Sequence, residues 1–349
     1  MNKIKLGING FGRIGRLAAR IILTKYTDKI QIVGINDLTS AENLAYLFQY
    51  DTTYRKFPHE VVAETGPNGN THLTIPSLQV SIPIFNQPDP ALIPWSKNEA
   101  QIILECTGRF LTTDLASKHI QDGVQKIILS APSKDTNIPT IVLGVNQDVL
   151  NNVETRNSKI ISSASCTTNC ISPALKVLSN NFDIKNVLAL TAHAYTATQF
   201  LQDSPTKKDF CDGRAAAINA IPSTTGAAKA VEIVLPKLKG KISLSSLRIP
   251  VISGSYIYLV VNFNQTAPSI QEINKVFELA STQSLQNIVE YSTQNLVSSD
   301  VIGNPNSCII DSNLTEVNGD SAKIVLWYDN EWGYANRLVE LALKLGETV

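Results

Sequence analysis

The chain has 349 residues, 30 Lys+Arg against 30 Asp+Glu, and 43% hydrophobic residues. That length predicts about two domains, each with enough core to need no disulfide or metal staple. Zero formal charge excludes a protein that holds nucleic acid or a membrane surface through bulk charge, though not a local basic pocket.

No apolar run approaches the roughly 18 residues needed to span a bilayer. The start, MNKIKLGINGFGRIG, breaks into glycines too early to hold a secretory core. The five cysteines (Cys106, Cys166, Cys170, Cys211 and Cys308) form an odd, sparse set without a Cys-x-x-Cys pair. They read as reduced thiols in a cytosol-like compartment, so a cytoplasmic location is expected. Four histidines make a closed zinc site a poor explanation, and no metal is expected.

Ile4, Leu6 and Ile8 alternate with polar or small residues, the period of a strand. After the glycines, Ile14, Leu17, Ala18, Ile21 and Ile22 form the buried stripe of a helix. Gln31–Asn36 reads as a second strand, so the first 36 residues form a βαβ unit. Short apolar runs at 102–105, 126–130 and 140–144, with helical text at 113–120, continue the alternation and predict a mostly parallel sheet. Residues 58–100 are rich in proline and read as an antiparallel excursion with long loops.

The pattern changes after Ile161. A helix begins near Cys166 with Ile171, Ala174, Leu175 and Leu178 on one stripe, followed by longer strand-like runs at 187–192, 242–249, 256–263 and 322–327. Few helices separate these runs, which predicts mainly antiparallel pairing. Residues 195–222 form a long polar stretch, usually a functional loop. A final helix carries Ala335, Leu338, Val339, Ala342 and Leu345. The expected fold class is α/β: a Rossmann-type doubly wound parallel sheet over 1–165, completed by the helix 331–349, plus an α+β catalytic domain over 166–330.

Gly10-x-Gly12-x-x-Gly15 sits between strand and helix, where glycines let the backbone approach a pyrophosphate and free N–H groups face it. The second strand ends in Asp37, 22 residues beyond Gly15, the position of a ribose-binding acid. A carboxylate there accepts from a ribose 2′-hydroxyl and repels a 2′-phosphate, which favours NAD over NADP. The competing reading is a tight turn with a solvated Asp.

Cys166 lies at a strand-to-helix turn in SASCTTNC, where a helix N-terminus stabilises a thiolate. Cys170 lies one turn further in and reads as an inert core residue. His193 ends an apolar strand and is the candidate base for Cys166; it could also be a histidine merely satisfied at a strand end. Thr225-Gly226 precedes a helix start and reads either as a phosphate cradle or as an N-cap. Arg248 ends a strand and fits either a phosphate or a structural carboxylate; Arg214, in the long loop, is equally open.

Together the stretches NGFGRIGR (9–16), SASCTTNC (163–170), HAYTATQ (193–199), PSTTGAAKA (222–230), LVSSD (296–300) and WYDNEWGYANR (327–337) resemble phosphorylating glyceraldehyde-3-phosphate dehydrogenase along essentially the whole chain. The resemblance implies NAD-dependent oxidation of glyceraldehyde 3-phosphate to 1,3-bisphosphoglycerate, a step of glycolysis and gluconeogenesis. Cys166 would form the thiohemiacetal and thioester, and His193 would take the proton. It further implies that Ser165, Thr167, Thr225 and Gly226 hold inorganic phosphate. Thr196, Thr198 and Arg248 would hold the substrate's own phosphate, with Arg214 nearby. Gly10, Phe11, Gly12, Arg13, Ile14, Gly15, Asp37, Thr107 and Ser130 would line the cofactor, and Asn330 would fix its carboxamide. A homotetramer is implied, and no nucleic-acid or membrane partner.

Four departures from the family pattern stand out. Cys211 replaces a common Arg, and Val251-Ile252-Ser253-Gly254 replaces a usual Thr-Pro-Asn-Val. Tyr258 replaces a common Asp, and 51–55 reads Asp-Thr-Thr-Tyr-Arg for Asp-Ser-x-His-Gly. They bear on subunit contacts and phosphate affinity and leave Cys166 and His193 untouched. Two alternatives stay open: erythrose-4-phosphate dehydrogenase, which releases acid by hydrolysis and is disfavoured by Thr225-Gly226, and a catalytically demoted binding protein on the same fold. A cysteine hydrolase leaves the glycine turn and Asp37 unexplained.

Overall fold

A computed structural model describes residues 3–66, 69–206 and 209–347. Residues 1–2 and 348–349 of the expected first domain lie outside the described residues. The described chain divides into two compact units, one of residues 3–141, 148–164 and 335–347, the other of residues 142–147 and 165–334.

In the first unit, β1 (Ile4–Asn9), α1 (Arg13–Lys25), β2 (Ile30–Asn36) and α2 (Ala41–Gln49) are followed by β3 (Val62–Thr65), β4 (Thr71–Ile75) and β5 (Val80–Phe85). Then come β6 (Ile102–Glu105), α3 (Thr113–Ala116), β7 (Lys126–Leu129), α4 (Val153–Asn157) and β8 (Ile160–Ser162). Among the described residues the strands form one eight-stranded sheet in the order β3-β4-β5-β2-β1-β6-β7-β8. From β5 through β8 every pairing is parallel, and the proline-rich excursion supplies the antiparallel edge β3-β4-β5. Ile102, Ile103, Leu104, Ile127, Ile128 and Leu129 are wholly buried, as central parallel strands covered on both faces require.

Two expectations change here. The run 140–144 is not a strand: Thr140 makes an isolated bridge to Ser162, after which the chain turns. Val142 N–H is captured by Asn146 Oδ1 at 2.8 Å and Gly144 adopts φ +80°, so the local hydrogen bonds close a turn instead of extending a ladder. The segment 142–147 clusters with the second unit.

The second unit contains α5 (Cys166–Asn181), β9 (Ile184–Ala194), β10 (Ile221–Ser223), α6 (Ala227–Val234), β11 (Ile242–Ile249), β12 (Ser255–Phe263), α7 (Ile270–Thr282), β13 (Val289–Ser292), β14 (Cys308–Asn318) and β15 (Ser321–Tyr328). The last helix, α8 (Trp332–Gly346), follows. Its second sheet runs β10-β11-β9-β12-β15-β14-β13 among the described residues. Pairing is mainly antiparallel, but β9 and β11 run parallel, as do β13 and β14. Helix α6 lies in the long connection that a parallel β9–β11 pair demands. Helix α7 and strand β14 have no counterpart in the sequence reading. Helix α5 buries Ile171, Ala174, Leu175 and Leu178 completely, the stripe its spacing predicts. Ser165 caps this helix, its Oγ accepting from Thr168 N at 3.1 Å.

Candidate active site

Within the first unit a cavity of about 380 Å³ opens beside the glycine turn, with Gly10, Gly12, Asn36, Asp37 and Thr107 among its lining. Gly10 has φ +90°, and a Cβ there would meet Thr107 N at 2.8 Å. A Cβ on Gly15 would strike the Gly10 carbonyl at 2.2 Å, so this glycine lets α1 close against the turn. Gly12, at the N-cap of α1, has nothing within 4 Å of an ideal Cβ and no side-chain cap. The helix thus starts beside open space with no side-chain cap, the geometry that takes a pyrophosphate. The Asp37 carboxylate is ordered by Phe11 N at 2.8 Å and Thr39 N at 3.0 Å. This donor and acceptor set fits a dinucleotide with an unmodified ribose 2′-hydroxyl.

The other residues expected at the cofactor fall in this unit, Asn330 excepted. Ile14 is half-buried on the first turn of α1. The Phe11 ring is buried and stacks on Phe48 at 5.5 Å, leaving its backbone as the part that serves the turn. The Arg13 guanidinium pairs with Asp51 and lies over the Tyr54 ring at 5.5 Å, so the divergent loop 51–55 engages it. Thr107 is tied to Glu105 through its N–H at 2.8 Å and through its hydroxyl. Ser130 N donates to Glu105 O at 3.0 Å, and its hydroxyl bonds the Cys106 thiol. Burial and the Glu105 charge push that thiol up to about 12, so Cys106 is no nucleophile.

In the second unit, Cys166 Sγ lies 3.4 Å from His193 Nε2. Cys166 opens α5 and His193 sits next to the end of β9. Ala164, two residues before the cysteine, is wholly buried at φ +56°, a left-handed conformation that costs a non-glycine residue about 1–2 kcal/mol. Its N–H is held by Ser162 Oγ at 3.1 Å. Around the imidazole, Tyr328 packs edge-on with ring centres 5.9 Å apart. The Tyr328 hydroxyl meets Thr167 Oγ1 at 3.1 Å and Thr191 Oγ1 at 2.9 Å.

Two sets of forces act on the Cys166 thiol. Burial pushes the Cys166 thiol up, opposed by the Arg248 charge and by hydrogen bonds from Thr167 and the backbone N–H groups of Cys166 and Thr167. Desolvation outweighs these opposing contacts. Burial, then Arg248, push the His193 imidazole down to about 3, against a bond to the Ala194 carbonyl. Cys170, wholly buried, is raised further by burial and by Cys308, as an inert core thiol should be.

Strand register decides the next neighbour. In the parallel β9–β11 pair, Arg248 stands opposite His193. Arg248 Nη1 lies 2.7 Å from His193 Nδ1 and 3.3 Å from Ala194 O. Neither sequence alternative for Arg248 covers this contact: no carboxylate pairs with it among the described residues, and its Nε is buried without a partner. Thr196 and Thr198 place their hydroxyls 2.9 Å apart, with Thr196 also tied to Gln199 Oε1. Arg214 is exposed and paired with Asp203 at 3.1 Å. Thr225 Oγ1 accepts from Ala227 N at 3.2 Å, while Gly226 occupies the N-cap of α6 with open space beside it. Ser165 and Thr167 flank Cys166.

Asn330 is buried, and its Oδ1 accepts from Ser255 Oγ at 2.8 Å. The same hydroxyl accepts from Ala194 N at 3.0 Å. Asp329, its neighbour, takes Ser253 Oγ at 3.0 Å and Gly303 N at 2.7 Å, and caps α8 through Glu331 N and Trp332 N. Sequence reasoning missed Tyr328, Thr191 and Ser255. Thr191 was within reach, since two residues before His193 on a strand means the same face. Tyr328 and Ser255 reach the site through sheet pairings that no local signal encodes.

A Rossmann-type unit with an acidic ribose site, and a unit bearing a thiol–imidazole pair, define an NAD-dependent oxidoreductase. Residues 4–113 match the family model of the glyceraldehyde 3-phosphate dehydrogenase NAD binding domain, and 165–330 match that of its C-terminal domain. Glyceraldehyde-3-phosphate dehydrogenase 2 of Streptomyces avermitilis is 45% identical over 344 residues, covering 98% of each chain. Glyceraldehyde-3-phosphate dehydrogenase 1 of Trichormus variabilis is 43% identical over 348 residues, covering 99% of this chain and 97% of the relative. The Mycobacterium tuberculosis glyceraldehyde-3-phosphate dehydrogenase is 42% identical over 349 residues, covering 99% of each. The chain belongs to the glyceraldehyde 3-phosphate dehydrogenase family.

Proposed function

We propose that this protein oxidises D-glyceraldehyde 3-phosphate with NAD and inorganic phosphate to 1,3-bisphosphoglycerate, as in glycolysis and gluconeogenesis. The 3.4 Å contact between Cys166 Sγ and His193 Nε2 is the observation that carries this reading. Cys166 sulfur bonds to the aldehyde carbon while His193 takes the thiol proton. The carbonyl electron pair moves onto oxygen, where backbone N–H groups at the start of α5 offer hydrogen bonds. His193 hands that proton to the oxyanion, giving the thiohemiacetal hydroxyl, and takes it back as hydride departs, leaving a thioester. NAD, when bound, supplies the hydride acceptor; Gly10, Gly12, Arg13, Asp37 and Thr107 would hold it, and Asn330 would hold its carboxamide. Phosphate oxygen then attacks the thioester carbon, the C–S bond breaks, and the thiolate returns.

Ser165, Thr167, Thr225 and Gly226 are assigned to the attacking phosphate. Thr196, Thr198 and Arg248 are assigned to the substrate's phosphate, with Arg214 nearby. We place the protein in the cytoplasm as a homotetramer; its five free thiols suit a reducing compartment.

NADH formation from glyceraldehyde 3-phosphate and from erythrose 4-phosphate, each with and without phosphate, tests the reading. Phosphate-dependent turnover of the three-carbon sugar is expected. Phosphate-independent turnover of the four-carbon sugar assigns the protein to erythrose-4-phosphate oxidation instead. No turnover of either, with equal labelling of Cys166 and Cys170 by iodoacetate, assigns it to binding alone.

A further inference from the structure

Asn36, Asn9 and Glu105 are the last residues of β2, β1 and β6, and they stand side by side in one row of the parallel sheet. Strand β1 lies where the strand order reverses, the place at which an open α/β sheet takes its ligand. Asn9, Asn36, Gln87 and Thr107 all line the cofactor cavity. The row itself is buried, and its hydrogen bonds run in one direction only.

At one end the Gln87 backbone N–H donates to Asn36 Oδ1 at 2.9 Å. Asn36 Nδ2 donates to Asn9 Oδ1 at 2.8 Å, and Asn9 Nδ2 to Glu105 Oε2 at 2.6 Å. At the other end the Trp95 indole N–H donates to His119 Nδ1, so His119 Nε2–H donates to the same Glu105 oxygen at 2.9 Å. Glu105 Oε1 accepts from Thr107 N at 2.8 Å and from the Thr107 hydroxyl, which itself accepts from Arg109 N at 3.1 Å. Glu105 thus accepts at all four contacts, as only a carboxylate can. A backbone N–H and an indole N–H cannot be reversed. Neither an amide flip at Asn9 or Asn36 nor a change of tautomer at His119 can therefore turn the chain of bonds round.

We propose that Glu105 is the positioning residue of the cofactor crevice: its one carboxylate sets the direction of every hydrogen bond along the row and so holds Asn9, Asn36 and Thr107 in the single arrangement that takes the dinucleotide. The inference rests on the assignment of this cavity to NAD and adds a wholly buried residue that acts through its neighbours.

Glu105→Gln keeps the shape and reverses part of the polarity. Its amide oxygen can serve Thr107, but its NH₂ group then meets the Asn9 amide and His119 Nε2–H, donor against donor. Adding Asn9→Asp moves the carboxylate one residue along the row. The new carboxylate accepts from Asn36 on one oxygen and from the amide at position 105 on the other. His119 Nε2, 3.4 Å from Asn9 Nδ2 in the intact protein, reaches it too. His119→Leu serves as the control, since it strips one donor from Glu105 and leaves those of Asn9 and Thr107. The experiment titrates NAD and ADP-ribose calorimetrically into the intact enzyme and these three variants, with thermal melts and steady-state kinetics of each.

Glu105→Gln should bind both ligands about tenfold more weakly and raise KM for NAD to match, while kcat at saturation stays within about twofold. Adding Asn9→Asp should bring affinity back to within about threefold of the intact enzyme. His119→Leu should melt earlier yet bind within about twofold of the intact enzyme. Undiminished binding by Glu105→Gln overturns the proposal and leaves the assignment of the cavity standing. So does a loss of affinity that merely follows the thermal midpoint across the variants, which makes Glu105 a core residue. A double variant that folds without recovering affinity also overturns it. If Glu105→Gln does not fold, the double variant decides: folding with recovered affinity supports the proposal, and failure to fold overturns it. An intact enzyme that binds neither NAD nor ADP-ribose overturns the assignment of the cavity itself.

Discussion

The Ser255 hydroxyl donates to Asn330 Oδ1 at 2.8 Å while accepting the N–H of Ala194, the residue after the candidate base. One wholly buried oxygen thus ties the end of β9 to the turn after β15, and it fixes the Asn330 amide with its NH₂ group away from the serine. Ser255→Ala should lower NAD affinity about five- to tenfold, since a lost hydrogen bond is worth about 1 kcal/mol and a stranded buried donor adds to it. ADP-ribose, which lacks the carboxamide, should bind unchanged. Parallel calorimetric titrations of NAD and ADP-ribose decide the point; equal losses would mean that Ser255 merely supports the fold.

Two residues earlier, Ser253 holds Asp329 in the same manner, and Gly254 between them adopts φ +88°. A Cβ on Gly254 would lie 2.0 Å from Ser298 O. This segment is where the chain departs from the usual family wording, and the glycine is what lets it run against the 296–300 loop. Gly254→Ala should destabilise the protein by about 2–4 kcal/mol through combined strain and clash. An unchanged thermal midpoint would show that the loop yields.

The cofactor preference is assigned to Asp37, whose carboxylate accepts from Phe11 N and Thr39 N. With Asp37→Ser and Leu38→Arg together, the carboxylate that repels a 2′-phosphate is gone and a cation stands beside its place. The kcat/KM for NAD should fall by about tenfold or more, as lost hydrogen bonds to a charged acceptor imply, and that for NADP should rise. Steady-state kinetics with both cofactors give the ratio; an unchanged ratio would remove Asp37 from the ribose site.

His193 makes stability depend on pH with a defined sign. Its folded value is about 3, against about 6.5 when unfolded. Between those values the unfolded chain binds the extra proton, so stability is full above pH 6.5 and falls as the pH drops towards 3. The slope from this group approaches about 1.4 kcal/mol per pH unit. Thermal melts across this range should show the decline, and His193→Gln should flatten it. A slope identical in the variant would mean that other groups set the acid response.

A buried polar chain in the first unit gives a further prediction. Trp95 Nε1 donates to His119 Nδ1 at 3.1 Å, which leaves Nε2–H to donate to Glu105 Oε2 at 2.9 Å. Glu105 also takes Asn9 Nδ2 at 2.6 Å and the Thr107 contacts at the cofactor cavity. All of Trp95, His119 and Glu105 are wholly buried. His119→Leu should cost about 3 kcal/mol, because it strands a buried indole N–H and strips one hydrogen bond from a buried carboxyl. Denaturant unfolding measures the loss, and a cost below about 0.5 kcal/mol, the scale of a surface change, would count against the network.

Local signals in the sequence were enough for the βαβ start, the glycine turn with Asp37, the α5 stripe and the residue types of the thiol–imidazole pair. Each depends on periods of two or 3.6 residues, or on backbone chemistry within a few positions. Strand β14 escaped because its apolar residues are diluted by polar ones whose partners are distant in the chain, whereas α7 carries local signals of its own, the stripe Ile273, Phe277 and Ala280 and a capping box between Ser269 and Glu272. The run 140–144 misled for the converse reason: its apolar residues are buried in a turn.

What the chain determined by itself was therefore the inventory: two folded units, a dinucleotide turn, a nucleophile and a base. Which way the reactive groups face came only from the packed sheets. Pairing of β9 with β11 sets Arg248 opposite His193, and pairing of β12 with β9 and β15 inserts Ser255 between Ala194 and Asn330. Hydrogen bonding between strands far apart in sequence, and desolvation by everything packed around them, set what each reactive group faces; neither is a property of any residue's chain neighbours.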